Sequence, residues 1–275
     1  MAMRAAEGAG IPQGWQLALD QLQRAAELGL PLARAELAAL AGDWALSREI
    51  AAGEAAGFSE WAGLRRAVDV GAWLAAPPPR VLSAAPRIAA VEGFASPEMC
   101  DWLIERARPK LAPAKVYDRD TGGPRSENVR TNRECHFPRD ESDLVLLFLR
   151  ARMARVTELP VQAMEAPAIL HYTPGQEFLP HFDFLDTDSP GPAKDVAEHG
   201  QRVVTFLLCL NDEYEGGETE FPALRKRWKG RRGNALFFWN VEPDGTPDRR
   251  TAHAGLSPTR GEKWLLSQWV RGRPF

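Results

Sequence analysis

From Trp15 to about Trp73, apolar residues recur at three- and four-residue steps: Leu17, Leu22, Ala25, Ala26 and Leu28, then Leu32, Ala35, Leu37 and Leu40. In a stretch rich in Ala, Leu, Glu and Arg, that spacing predicts short amphipathic helices. Gly29, Gly42, Gly53 and Gly57 fall where those helices should end, since glycine readily closes a helix. Helix pairs this short cannot bury an apolar face alone, so they are expected to stack on one another or on the next domain. Ala76-Pro77-Pro78-Pro79-Arg80 then stops the pattern, because proline ends a helix and favours a stiff, extended connector. The chain therefore reads as a small all-α region over residues 1–76, a proline-rich linker over 77–85 and a larger domain over 86–275.

Beyond the linker the period changes. Arg87-Ile88-Ala89-Ala90-Val91 reads as a strand, and Ser96-Pro97-Glu98 as a helix cap with proline at the first position, opening a helix to about Arg108. Asp143 to Thr157 reads as a second helix. Short apolar runs then follow at Ala168–Tyr172, Val203–Leu210, Ala235–Trp239 and Trp264–Val270, separated by turn residues. Many short strands with Gly- and Pro-bearing turns predict an α+β domain, a barrel or jelly roll with helices packed outside it. Two long polar loops, Tyr117–Asn128 and Asp186–Gly200, are expected to be mobile lids at an entrance.

Composition narrows the partners. A formal net charge of −3 and a pI of about 6.0 argue against a nucleic-acid or membrane-surface binder. The basic run Arg225-Lys226-Arg227-Trp228-Lys229, with Arg231-Arg232, reads as a solvated hairpin. Cys100, Cys135 and Cys209 are widely spaced without a CxxC pair, which points away from a disulfide framework and towards a reducing cytoplasm. The opening MAMRAAEGAGIPQGW has no apolar core of the leader type, and no apolar run reaches membrane-spanning length. A soluble, cytoplasmic protein is expected.

The sharpest chemical feature is His181-Phe182-Asp183. On a strand, residues i and i+2 share a face, so one segment offers an imidazole and a carboxylate to one metal while Phe182 turns into packing. Two histidines and a carboxylate on one side, with open positions opposite, suit non-haem iron(II). The chain has five histidines, His136, His171, His181, His199 and His253. Of these, His253 lies far downstream, just before a turn. Lys263 follows it by ten positions, room for a turn and a return strand. A cation there could receive the distal carboxylate of a 2-oxoglutarate molecule whose other end chelates iron. Taken alone, the HxD also fits a capped turn with a surface histidine, and the lysine a solvated residue.

Several ordered blocks carry a family resemblance. They are His171-Tyr172-Thr173-Pro174-Gly175-Gln176-Glu177-Phe178-Leu179-Pro180-His181-Phe182-Asp183, Arg202-Val203-Val204-Thr205 with Leu210-Asn211-Asp212, and Glu215-Gly216-Gly217-Glu218-Thr219-Glu220-Phe221-Pro222. Gly233-Asn234-Ala235-Leu236-Phe237-Phe238-Trp239-Asn240 and His253-Ala254-Gly255-Leu256-Ser257-Pro258-Thr259-Arg260-Gly261-Glu262-Lys263-Trp264 complete them. Residues from about 86 to 275 resemble the prolyl 4-hydroxylase family of 2-oxoglutarate oxygenases. The resemblance implies a double-stranded β-helix with flanking helices. It implies iron(II), 2-oxoglutarate and dioxygen as requirements, with ascorbate as a further expectation. It assigns His181, Asp183 and His253 to iron and Lys263 to the co-substrate carboxylate. Tyr172 matches a tyrosine that bonds the co-substrate, Thr205 a threonine in the same pocket, and Trp269 an aromatic near the metal. Lys263 and Trp269 differ by six positions, so a regular strand puts both on one face.

The sequence departs from the family at His171, where relatives often carry Arg, and at Cys209, where many carry Tyr. Both are expected close to the site. Arg130, Thr131 and Asn132 lie where the family's substrate-side loop begins. The expected activity is hydroxylation of an unactivated C–H bond, by default in a prolyl residue of a peptide or protein. The alternatives are another residue or a free amino acid on the same scaffold, or an oxygen- or 2-oxoglutarate-sensing binding protein. Ala18-Leu19-Asp20-Gln21-Leu22-Gln23-Arg24-Ala25-Ala26-Glu27-Leu28-Gly29, with Ala33 and Leu37, resembles a Sel1-like or tetratricopeptide helix pair over about one repeat. The helical region is accordingly expected to cap the core or to bind a partner.

Overall fold

The computed structural model describes residues 1–7, 14–55, 57–117, 124–125 and 128–274. Its helices, in chain order, are α1 (Ala2–Glu7), α2 (Trp15–Glu27), α3 (Pro31–Leu40), α4 (Trp44–Ala52), α5 (Trp61–Ala67), α6 (Val70–Leu74), α7 (Pro97–Ala107), α8 (Leu144–Thr157) and α9 (Pro190–His199). They divide between two compact units, Met1–Ala76 with Arg139–Ala154, and Pro77–Pro138 with Arg155–Phe275.

The first unit is all helical. α2 buries Ala18, Leu19, Leu22 and Ala26, one stripe at helical spacing. Gly29, Gly42 and Gly53 adopt positive φ after α2, α3 and α4, the left-handed closure that glycine allows. Asp43 starts α4 by accepting from the Leu46 amide at 3.0 Å. Most of α8 belongs here, although the sequence pattern places it with the C-terminal domain. Leu144 to Leu149 are all buried, so this helix needs cover on every side. Phe148 stacks on Trp15 at 4.0 Å and lies 5.4 Å from Trp73. Those long-range partners decide the grouping, and no local period reveals them.

The second unit carries the strands β1 (Arg80–Ala84), β2 (Arg87–Val91), β3 (Ala112–Pro113), β4 (Val116–Tyr117), β5 (Pro124–Arg125), β6 (Arg133–His136), β7 (Ala168–Tyr172) and β8 (Phe178–His181). They continue with β9 (Arg202–Cys209), β10 (Glu215–Gly216), β11 (Thr219–Phe221), β12 (Lys226–Trp228), β13 (Ala235–Trp239), β14 (His253–Gly255), β15 (Pro258–Arg260) and β16 (Lys263–Arg271). The major sheet runs β1-β2-β13-β9-β16-β7-β6-β3, and the minor sheet β12-β11-β14-β8. Both are antiparallel, the two-sheet arrangement of a double-stranded β-helix. Ile88, Leu170, Leu207, Phe221, Phe238 and Leu265 meet in one buried cluster. On the other face of β9, Phe206 packs against Phe94 and Phe237.

Two expectations are corrected. The proline-rich segment 77–85 is not wholly a linker: Arg80–Ala84 forms β1, paired to β2, on an exposed edge with no alternating apolar signal to betray it. Asp186–Gly200 is not a plain loop either. Pro190–His199 is helical, tied down by Arg271, which donates to Asp195 and to the Gly200 carbonyl, each at 2.8 Å. Most of the Tyr117–Asn128 loop lies outside the described residues.

Candidate active site

β8 and β14 bring the two distant histidines together. His253 pairs with His181 and Gly255 with Phe178, so three steps of β8 span two of β14, a bulge at Leu179–Pro180. Pro180, which has no amide hydrogen to give the ladder, lies within that irregular stretch. The ligand-capable atoms of His181, Asp183 and His253 all lie within 4.8 Å of one another. This is the metal-capable cluster among the described residues. Asp183 follows the strand end, and Phe182, expected to turn into packing, is instead exposed and stacked on Phe184 at 4.7 Å, because the strand alternation stops at His181.

Each donor is held by a neighbour. His181 Nδ1 bonds the Leu179 carbonyl at 2.9 Å and His253 Nδ1 the Thr251 carbonyl at 3.0 Å. A carbonyl only accepts, so each Nδ1 carries the proton and each Nε2 keeps its lone pair for a metal. Those Nε2 atoms stand 3.6 and 3.4 Å from the Asp183 oxygens. Burial disfavours the Asp183 charge, but His253, His181 and a hydrogen bond from Thr205 outweigh it and hold the carboxyl well below the usual range. Burial first, then the neighbouring His181, lowers His253 to about 4, which keeps it neutral. Two imidazoles and a carboxylate gathered on one side are the donor set that suits iron(II).

The major sheet supplies the rest of the cavity. Ala168, Leu170 and Tyr172 of β7 and Lys263, Leu265, Ser267 and Trp269 of β16 line it with the triad, every second residue of each strand. The shared face of Lys263 and Trp269 is as the spacing predicts. Lys263 is buried, its ammonium 5.0 Å from the Tyr172 ring centroid, and its Nζ has no hydrogen-bond partner among the described residues. A buried, unpartnered cation is costly, and a carboxylate is the group that would satisfy it. Burial lowers Lys263 to about 8 and raises Tyr172 to about 12, so both carry their proton at neutral pH. Gly255 leaves room for Tyr172, since a Cβ there would sit 3.1 Å from its hydroxyl.

Thr205, expected in the co-substrate pocket, does not line the cavity. Its hydroxyl donates to Asp183 Oδ2 at 2.7 Å and accepts from Asn240 Nδ2 at 2.9 Å. His171, expected close to the site, projects from the opposite face of β7. It packs on Trp264 at 4.3 Å, with Nε2 3.2 Å from Glu262, because strand neighbours alternate. Cys209 is buried in the core cluster with Tyr172 and Leu265. Arg130 lines the cavity, while Thr131 and Asn132 serve the backbone and Arg130 itself. Sequence reasoning passed over Asn240 and Phe178. Both stand in the family blocks, and only their contacts give them a task.

Antiparallel sheets converging on a His-Asp-His triad beside a buried lysine define a 2-oxoglutarate- and iron(II)-dependent oxygenase, and the profile of the 2OG-Fe(II) oxygenase superfamily matches residues 167–271. Probable prolyl 4-hydroxylase 3 of Arabidopsis thaliana is 33% identical over 209 residues, covering 69% of this chain and 71% of the relative. Prolyl 4-hydroxylase 5 of the same plant is 34% identical, covering 71% of this chain and 72% of the relative. The structure of viral collagen prolyl hydroxylase from Paramecium Bursaria Chlorella virus-1, in complex with 2OG, is similar with a TM-score of 0.51 at 27% identity, over 66% of this chain and 94% of that one. The chain belongs to the prolyl 4-hydroxylase family, dioxygenases that use iron(II), 2-oxoglutarate and dioxygen.

Proposed function

We propose that the chain hydroxylates a prolyl residue within a peptide or protein, with His181, Asp183 and His253 holding iron(II) and Lys263 receiving the distal carboxylate of 2-oxoglutarate. The observation that carries the reading is the triad placed beside the unpartnered Lys263 ammonium in one cavity. The substrate class rests on the relatives' names, prolyl 4-hydroxylases and a viral collagen prolyl hydroxylase.

Iron(II), 2-oxoglutarate and dioxygen together supply oxidation of an unactivated C–H bond, with succinate and carbon dioxide as by-products. The chain's own groups prepare for that. Thr205 holds one Asp183 oxygen, and the Leu179 and Thr251 carbonyls fix the imidazole tautomers. Lys263 presents a charge-assisted donor to the incoming carboxylate, with the Tyr172 hydroxyl as a second donor in the same cavity. The apolar walls at Ala168, Leu170, Leu207 and Leu265 exclude water and strengthen those polar contacts.

The experiment is anaerobic loading with iron(II) and 2-oxoglutarate, then exposure to air with a panel of proline-containing peptides. The expected result is succinate formation coupled to one added oxygen on a proline. Coupled oxygenation of other residues or of free amino acids, with prolines untouched, would overturn the substrate assignment.

A further inference from the structure

On a regular strand, Phe178 and His181 are three residues apart and would project to opposite faces. The bulge at Leu179–Pro180 cancels that alternation. It lays the Phe178 ring on the His181 imidazole, centroids 3.4 Å apart and planes within 11°. Phe178 is itself held. Arg130 pairs with it in an isolated bridge, and its guanidinium carbon stands 4.7 Å from the ring centroid. Arg130 is buried and fixed at three points, donating to Asn132 Oδ1 at 3.1 Å, the Lys115 carbonyl at 2.8 Å and Glu134 Oε2 at 2.6 Å.

We infer that Phe178, backed by Arg130, is a positioning residue that sets the plane of the His181 ring and so the direction of its Nε2 lone pair. The inference rests on the reading of His181 as an iron ligand. The ring turns about its Cβ–Cγ bond, and the bond from Nδ1 to the Leu179 carbonyl limits that turn at one edge while leaving the Nε2 edge free to rock. A flat aromatic face at van der Waals distance removes the rocking, whereas an aliphatic side chain of similar volume does not. Ligands held in advance lose less freedom when the metal arrives, which is why outer partners of metal-binding histidines count in affinity. His253 differs. It meets the Phe238 ring edge-on at 4.8 Å and the Phe221 ring tilted by 36° at 6.0 Å, with no stacked ring among the described residues, so the two histidines are held by different means.

The test replaces iron with cobalt(II), whose visible spectrum reports ligand geometry without turnover. Phe178→Leu and Phe178→Met keep apolar volume and lose the flat face, while Phe178→Tyr keeps it. Cobalt(II) affinity, its absorption envelope and the thermal midpoint are measured for each. The Leu and Met variants are expected to bind cobalt(II) about 10- to 100-fold more weakly with an altered envelope, and Phe178→Tyr to restore both. Wild-type affinity and spectrum in a folded Leu or Met variant would overturn the inference, even with a lowered thermal midpoint. Arg130→Lys keeps the charge facing Glu134 and loses the planar group behind the ring. It is expected to shift affinity and spectrum in the same direction by less, and it decides the matter where the Phe178 variants do not fold. Failure of the wild-type protein to bind cobalt(II) would overturn the iron-site reading instead.

Discussion

The Thr205 hydroxyl donates to Asp183 Oδ2 at 2.7 Å while accepting from Asn240 at 2.9 Å, so a fully buried chain of two hydrogen bonds ends on a carboxylate of the triad. Thr205→Val keeps the shape and deletes the hydroxyl. It strips Asp183 of a donor and leaves the Asn240 amide without that acceptor. Leaving a buried polar group unsatisfied costs about 1–3 kcal/mol, and losing the outer partner of a ligand weakens metal binding by about 10- to 100-fold. Metal titration and a thermal melt should show both losses, with Thr205→Ser recovering most of the affinity. Unaltered metal affinity in the Val variant would remove Thr205 from any role in holding Asp183.

His181→Ala, Asp183→Ala and His253→Ala should each abolish substrate-dependent succinate formation and weaken iron binding, with circular dichroism close to wild type. His199→Ala serves as the control, since His199 bonds Asp195 on α9 away from the triad. The half-exposed His136 should also tolerate Ala. A triad variant with full activity would lose its place in the ligand set.

Lys263→Ala should raise the 2-oxoglutarate requirement by roughly two to three orders of magnitude, since stranding the partner of a buried charge costs about 3–5 kcal/mol and each 1.4 kcal/mol is about tenfold. Iron affinity should survive, and Lys263→Arg should rescue in part, its fork being larger and planar. Titrating 2-oxoglutarate into the iron-loaded variant, with charge-transfer absorbance as the readout, measures the change. An unchanged affinity would place the carboxylate elsewhere.

The same lysine gives the pH dependence. Burial brings Lys263 down to about 8 in the folded protein, so it is charged below that pH and neutral above it. Affinity for 2-oxoglutarate should be flat below pH 8 and fall by about tenfold per unit above it, while Lys263→Arg should stay flat. Stability without co-substrate runs the other way. The unfolded amine keeps its ordinary value of 10.5, so between about 8 and 10.5 the unfolded chain binds the extra proton and folding stability rises with pH. A flat wild-type affinity profile from pH 7 to 10 would contradict the assignment.

Deleting residues 1–76 should do more than remove a cap. Arg139–Ala154 packs with those helices, so the truncated chain would expose the α8 run Leu144–Leu149 against which Trp15 and Trp73 rest. The expected outcome is aggregation or strong binding of an apolar dye. A soluble, monomeric truncation that still consumes 2-oxoglutarate, yet loses only the substrate-coupled reaction, would show instead that the helices recruit substrate.

Elements whose cause is local were legible from neighbouring residues alone. The helical spacing and glycine ends of α2 to α4, the Ser96 cap and Pro97 opening α7, and the strand runs at β7, β9, β13 and β16 follow from period and turn chemistry within a few residues. The sequence also marked His181, Asp183, His253 and Lys263, because the ordered blocks around them carry the family's pattern, and strand parity put Trp269 on the face of Lys263. Features that depend on distant partners emerged from the packing of the folded chain. Thr205 turned out to hold Asp183 rather than to line the co-substrate cavity, a matter of where β9 passes Asp183. His171 turned away from the site to Trp264, and α8 joined helices more than sixty residues upstream. The bulge that lays Phe178 on His181 comes from a one-residue slip between β8 and β14, strands some seventy residues apart. Register across such a separation is fixed by packing two sheets around one core, so no window of neighbouring residues contains it.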